Sequence, residues 1–196
     1  MTRDEMIKRL KKKLTDKRFV HSIGVEYTAA NLAYVYGADV RKARIAGLLH
    51  DCAKCIPTEE KLKKCIKNGI PYSPSEEANP DLLHGKLGAF YAKEKYEIDD
   101  PDILSAITWH TTGRPGMTLL DKIIFVADYI EPNRRMIKEL PEIRKEAFQD
   151  IDKCIIHILK NTLEYLKDKD FAIDETTEET YYFYVDSKVM EEISEF

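Results

Sequence analysis

No run of about 20 apolar residues occurs in this sequence, so it holds no segment fitted to cross a bilayer as a helix. The opening residues Met1-Thr2-Arg3-Asp4-Glu5 are charged where a secretory leader turns apolar, and the expectation is a soluble, cytoplasmic protein with no membrane partner. Basic excess is missing too. Thirty-one Lys and Arg against 35 Asp and Glu leave a net charge of −4, which argues against a dedicated nucleic-acid binder. An anionic ligand must then be met by local cations or by metal. Glycine and proline number eight each, too few for low complexity. The four cysteines, Cys52, Cys55, Cys65 and Cys154, come with no secretory signal to suggest a disulfide framework. Cys52-x-x-Cys55 has neither a second CxxC to complete a zinc site nor a βαβ pattern for redox cycling, so reduced, packed thiols are expected.

What is present is ordinary globular material, 43% hydrophobic and 34% charged, and 196 residues suffice for one domain with a sizeable core. Thr2-x-x-Glu5 is a capping box, and Met6, Ile7, Leu10 and Leu14 follow at helical spacing, giving a helix to about Leu14. A second helix over 17–36 carries an apolar stripe through Phe19, Val20, Ile23, Tyr27, Ala30, Leu32 and Tyr34, and Gly37 stops it. Asp39 caps a third, which runs into Ala46-Gly47-Leu48-Leu49-His50-Asp51-Cys52-Ala53-Lys54; Pro57 opens a fourth that ends near Gly69. Residues 70–81, with three prolines, form the main internal loop. Helices over 82–96 and 102–111 come next, then a break at 110–117 and an apolar helix from Thr118 that Pro132 ends. Pro141 begins one long amphipathic helix that buries Ile143, Phe148, Ile151, Ile155, Ile158, Leu159, Leu163 and Leu166. Asp174 caps a last helix through Tyr181-Tyr182-Phe183-Tyr184, with a strand as the alternative for that run. With no parallel-sheet signature and no repeat, the class is all-α.

A His-Asp pair is cheap to find on a helix, and His50-Asp51 gains meaning only from its company. Of five histidines, His21, His50, His84 and His110 fall on four different expected helices or their ends, while His157 lies among isoleucines as an ordinary packed or boundary residue. Asp128 is set in the apolar segment IIFVADYI, where a carboxylate is costly unless a cation pairs with it. These six N and O donors, without a thiolate, suit Fe, Mn, Zn, Co or Mg. Two arrangements stay open. His50 and Asp51 point about 100° apart on a helix, so Asp51 could bridge two ions. Alternatively one ion takes His21, His50, Asp51 and Asp128 and leaves His84 and His110 to the substrate. Gly24, Gly47, Gly85 and Gly88 lie close to these histidines inside expected helices, where each costs about 1 kcal/mol relative to Ala, so close helix approach or room for a ligand is implied. Arg18 lies one turn before His21, Lys54 one turn after His50, and Arg134 and Arg135 just beyond Asp128. Thr111, Thr112 and Gly113 offer hydroxyls and amides to an oxyanion.

RFVHSIGV (18–25), GLLHDCAK (47–54), LLHGKLGA (82–89), ITWHTTGRPGM (107–117) and FVADYIEPNR (125–134) resemble the bacterial YqeK branch of the HD-domain metal-dependent phosphohydrolases, whose H…HD…D signature His21, His50-Asp51 and Asp128 match. The resemblance implies one all-helical HD domain over 1–196, a helical bundle with the metal site at its centre and 141–196 as a C-terminal extension packed on it. It implies an iron centre, with Mn, Co, Zn or Mg as substitutes, and hydrolysis of diadenosine tetraphosphate to two ADP by water activated at the metal. His21, His50, Asp51 and Asp128 become metal ligands, with a second ion on His84 and His110 as the open alternative. Asp51, Lys54, His84 and His110 are then the catalytic candidates. Arg18, Lys54, His84, His110, Thr111, Thr112 and Arg134 are the substrate contacts, and 173–177 approach the nucleotide. Partners are the dinucleotide, ADP or GDP, with no nucleic acid and a homodimer left open. The rival readings are an HD-type nucleotidase or cyclic-nucleotide phosphodiesterase, and a non-catalytic nucleotide-binding protein with a structural metal.

Overall fold

The computed structural model describes residues 1–137 and 139–194, with side chains described through residue 190. Among them there are eleven α-helices, one 3-10 turn and no strand: α1 (Arg3–Lys11), α2 (Asp16–Tyr36), α3 (Val40–Leu49), α4 (Thr58–Lys67), α5 (Pro74–Ala78), the 3-10 turn Pro80–Leu83, α6 (His84–Tyr96), α7 (Pro101–Trp109), α8 (Leu119–Ile130), α9 (Leu140–Glu146), α10 (Ile151–Asp168) and α11 (Glu175–Ser194). None of the described helices is long and apolar enough to cross a membrane. Most helix starts are written in local chemistry. Thr2 with Glu5 and Thr118 with Asp121 close capping boxes, and Thr15, Asp39, Asp100 and Asp150 accept backbone N–H groups from first-turn residues. Gly37 ends α2 in the left-handed conformation at φ 70°.

The centre is a bundle in which α2 and α7 flank α3 and α8, with α6 against α7 and α10 on the other side of α8. The midsection of α8 is walled in on every side, with Ile123, Ile124, Phe125, Val126 and Ala127 all buried. The all-α class and the site's central place both hold. The Tyr181–Tyr184 run is helical: α11 packs on α10, and the buried Tyr184 hydroxyl accepts a hydrogen bond from the Met117 amide at 3.1 Å.

Several local expectations need correction. The apolar stripe of α2 forms its core face only in part: Leu32 is buried and Phe19 and Ile23 pack against the core, but Val20, Tyr27 and Tyr34 are 50%, 53% and 82% exposed, while His21, Ser22, Val25, Glu26, Ala29 and Ala33 are buried. The buried side is small and polar because α3 runs too close for larger groups. A Cβ on Gly47 would lie 3.0 Å from both Glu26 Cα and Val25 O. Glu26 survives fully buried because Arg3 grips its carboxylate at 2.6 and 2.7 Å and Arg44 at 2.8 and 3.1 Å. The 70–81 loop contains α5, started by a Ser73/Glu76 capping box, followed by the 3-10 turn. The helix expected from Pro141 is two, because Asp150 caps a fresh start and accepts from the Asp152 and Lys153 amides. Phe148, in the break, is exposed. Finally, His50 is the C-cap of α3 and the chain turns from there, so His50, Asp51 and Lys54 do not share one helix.

Close approach recurs where α6 crosses α7, since a Cβ on Gly85 would fall 2.5 Å from Thr108 O. Backbone cannot yield cheaply, so Gly85→Ala should destabilise by about 1–3 kcal/mol and lower the thermal midpoint by about 2–4 °C per kcal/mol. Differential scanning calorimetry measures this, and an unchanged midpoint would show that the two helices have slack.

Candidate metal centre

Three of the four histidines are placed by one local device. His50 caps α3, His110 caps α7, and His84 stands between the 3-10 turn and α6. In each, Nδ1 donates to the carbonyl three residues back: His50 to Gly47 O at 2.7 Å, His110 to Ile107 O at 2.7 Å and His84 to Asp81 O at 2.6 Å. A carbonyl can only accept, so the proton must be on Nδ1 and the Nε2 lone pair points inward. His21, in mid-helix, has the Glu131 carboxylate instead, with Nδ1 3.0 Å from Oε1.

The Nε2 atoms converge in two pairs, His21 with His50 at 3.2 Å and His84 with His110 at 3.1 Å. Asp51 lies between them. Its Oδ2 is 3.6 Å from His21 Nε2 and 3.3 Å from His50 Nε2, and its Oδ1 is 3.4 Å from His84 Nε2 and 3.7 Å from His110 Nε2. Asp128 Oδ1 joins the first pair, 2.9 Å from His21 Nε2 and 3.7 Å from His50 Nε2. Lone pairs opposed at such distances repel unless a proton or a cation lies between them. His21, His50 and Asp51 form one group able to hold a divalent metal; Asp51, His84 and His110 form another; and His50, His110 and Asp128 a third that overlaps both. The donor set therefore fits divalent metal.

The electrostatics agree. Burial works to raise the Asp51 carboxyl, but His50, His110 and His84 around it hold it well below the usual carboxylate range. Asp128 is likewise held down against burial, by Arg134 and His21. Burial, then the neighbouring His110 and Lys54, push His84 down to about 3 and keep it neutral. His21 goes up: Asp128 and Glu131 overcome the effect of burial.

The expected cations divide. Arg18 meets Asp51 Oδ2 at 2.5 Å; Arg134 donates to Asp128 O at 2.8 Å and to Asp128 Oδ1 at 3.3 Å. Both stand where the centre opens beside His21 into a cleft of about 700 Å³. Lys54 is elsewhere, behind His84: its Nζ bonds Asp81 Oδ2 at 2.8 Å and lies 3.4 Å from His84 Nδ1. Thr111 Oγ1 is 3.2 Å from His84 Nε2, while Thr112 Oγ1 donates to Gly113 O. In the 173–177 segment, Asp174 accepts from Ser75 Oγ at 2.8 Å, tying the start of α11 to α5. His157 is apart, paired with Glu146 at 2.8 Å. All four cysteines are free thiols, and burial pushes Cys52 up to about 12.

Two partners escaped the reading of the sequence. Asp81 joins Lys54 and Lys61 behind His84. Glu131 is 1% exposed, orients His21, and accepts from the Asn133 amide at 2.7 Å. The clue to Glu131 was available: like Asp128, it is a carboxylate at the end of an apolar helix. It also explains Gly24, where a Cβ would fall 2.3 Å from Glu131 Oε2.

Comparison with known proteins bears on the same residues. A family model described as HD domain matches residues 18–133. A Bacillus subtilis protein named symmetrical bis(5'-nucleosyl)-tetraphosphatase is 42% identical over 181 residues, 92% of this chain and 96% of that one. A Staphylococcus aureus protein of the same name is 37% identical over 196 residues, 96% and 98% of the two chains. A crystal structure from Clostridium acetobutylicum, described as an HD superfamily hydrolase involved in NAD metabolism, superposes with a TM-score of 0.93 at 42% identity, over 95% of this chain and 98% of that one.

Two outcomes test this geometry. Glu131→Ala should lower metal affinity by about 10–100-fold with the fold retained, measured by competition against a chelator and by circular dichroism. The metal-free protein should also lose stability on acidification. His84 titrates near 6.5 when unfolded and at about 3 when folded, so between these values the unfolded chain binds more protons and stability drops as the pH is lowered. The depressed Asp51 and Asp128 add the same sign below about 4. The raised His21 opposes, its contribution being present below about 6.5 and lost as pH rises. In chelator-treated protein, His84→Gln should flatten the dependence of melting temperature on pH between about 6.5 and 4; a slope equal to wild type would contradict a buried neutral His84.

Proposed function

The chain belongs to the HD domain family, and on that premise we propose that it hydrolyses dinucleoside polyphosphates symmetrically, diadenosine tetraphosphate to two ADP. The observation that carries this reading is the placement of Asp51, with an imidazole pair facing each carboxylate oxygen. The named activity of the Bacillus subtilis and Staphylococcus aureus relatives supports the substrate. We propose iron as the resident metal, since the donors are imidazoles and carboxylates without thiolate, with Mn, Co, Zn or Mg as substitutes. Bound metal would make water a nucleophile near neutral pH and offset charge on the phosphates.

The chain's own groups do the rest. His21, His50, Asp51 and Asp128 would hold one ion, and His84, His110 and Asp51 a second. Arg18 and Arg134 reach outward from the ligand carboxylates, 31% and 39% exposed, where they can turn to phosphate oxygens as charge builds there. The Thr111 hydroxyl beside His84 can donate to another. Lys54 acts at one remove: it holds the Asp81 side chain, and the Asp81 backbone carbonyl fixes the His84 ring, so Lys54 is a positioning residue rather than a phosphate contact. In the reaction, water bonds to one β-phosphorus, the bond from that phosphorus to the central bridging oxygen breaks, and the departing ADP keeps the electron pair. Residues 141–196 would act as an extension of the same domain, with α10 packed on α8 and α11 on α10; residues 195 and 196 lie outside those described.

Asp51→Ala removes the one group common to both ion positions. The variant should lose both bound metal and turnover, followed by elemental analysis of anaerobically purified protein and by chromatography of nucleotide products. Full activity in metal-free Asp51→Ala would sink the scheme, and release of AMP or orthophosphate by wild type would favour a nucleotidase.

A further inference from the structure

A second cavity, of about 520 Å³, opens where the end of α1, α4 and α6 come together, and it shares no lining residue with the cleft beside His21 or with the metal ligands. Arg9, Lys12, Lys13, Lys64 and Lys95 line it, against Glu60 as its one carboxylate. We propose that this cavity binds a small anion carrying two or more phosphates, at a site separate from the metal centre and independent of the activity proposed above.

The positive charge there is largely unspent. Lys64 pairs with Glu60 at 3.0 Å, and Arg9 donates to the Lys95 carbonyl, a neutral partner. The side chains of Lys12, Lys13 and Lys95 make no ion pair or hydrogen bond among the described residues. Bases at helix C-termini have a simpler use, which is to offset the macrodipole, and all five stand in or just past a last turn. Each helix end carries only about half a negative charge, however, and three of them do not balance five cations set against one carboxylate. The surplus is held in a concave space, where the protein walls focus its field, on a chain whose net charge is −4. A single phosphate brings about two negative charges at most, less than the surplus, whereas a compound with two or more phosphates matches it. Lysines from separate helices suit such a ligand, because each ammonium meets phosphate oxygens as a point charge and needs no fixed geometry. The volume lies within the range of about 300–1,000 Å³ usual for small-ligand pockets.

The cavity carries its own reporter. Cys55 lines it and is the one exposed thiol of the four, so the rate at which Cys55 is alkylated reads its occupancy. In metal-replete protein, inorganic tripolyphosphate added as its magnesium complex should slow alkylation of Cys55 by iodoacetamide about tenfold at saturation, and added salt should weaken the effect. Lys12→Glu combined with Lys95→Glu, both at exposed positions, should abolish the protection and leave the bound metal content unchanged. Alkylation of wild type at the same rate with and without tripolyphosphate, protection no greater than orthophosphate gives at equal ionic strength, or protection undiminished in the double variant would each overturn the proposal.

Discussion

One ionised carboxylate, Asp51, is 2% exposed at the middle of the helical bundle, and much of the architecture is arranged to make that tolerable. A buried carboxylate costs several kcal/mol unless opposite charge surrounds it. Here Arg18 reaches one oxygen from the rim, and the Nε2 atoms of four imidazoles face the two oxygens around a space that a divalent cation would balance. Each imidazole comes from a different element, so the ligands can meet only if α2, α3, the start of α6 and α7 meet. The metal centre and the fold are in this sense one constraint.

Close approach is how the chain satisfies it. Gly47 lets α3 lie on α2, Gly85 and Gly88 let α6 lie against α7 and the His50 turn, and Gly24 leaves room for Glu131 behind His21. Around this tight centre the remaining hydrogen bonds aim the rings. Three histidines spend Nδ1 on their own turn and the fourth on Glu131, which fixes every Nε2 toward the same space. Preorganisation of this kind moves the cost of ordering the site into folding, where the apolar core of α8 and its neighbours bears it.

The centre is also polarised between its two sides. Behind His84, Lys54 pairs with Asp81, whose backbone carbonyl holds the ring, and the charge of Lys54 adds to burial and His110 in keeping the ring neutral. Beside His21, Arg18 and Arg134 are half-exposed and opposite an open cleft. Both guanidiniums are already paired, Arg18 with Asp51 and Arg134 with Asp128, so their charge is pointed toward the cleft but not free.

Much of this was legible in the residues themselves. The all-α class followed from periodicity and caps, which are local: Thr2, Asp39 and Thr118 mark helix starts that the structure keeps within a residue or two. The donor types were legible because His21, His50 with Asp51, His84 and His110 fall on four different expected helices and Asp128 is a carboxylate set in an apolar segment. What sequence could not settle were matters of which surface meets which. Helical spacing drew the apolar stripe of α2 toward the core, yet small residues and Glu26 are buried because α3 comes too near for anything larger. Lys54, four residues from His50, was expected to face the ligands and instead turns behind His84, because the helix stops at His50 and Asp81 comes within reach. Glu131 and Asp81 gain their parts only through residues distant in the chain, 110 positions away for His21 and 27 for Lys54. Spacing along a chain decides what one helix can present; only tertiary packing decides which donors meet across helices, because that depends on backbone separations that no single segment encodes.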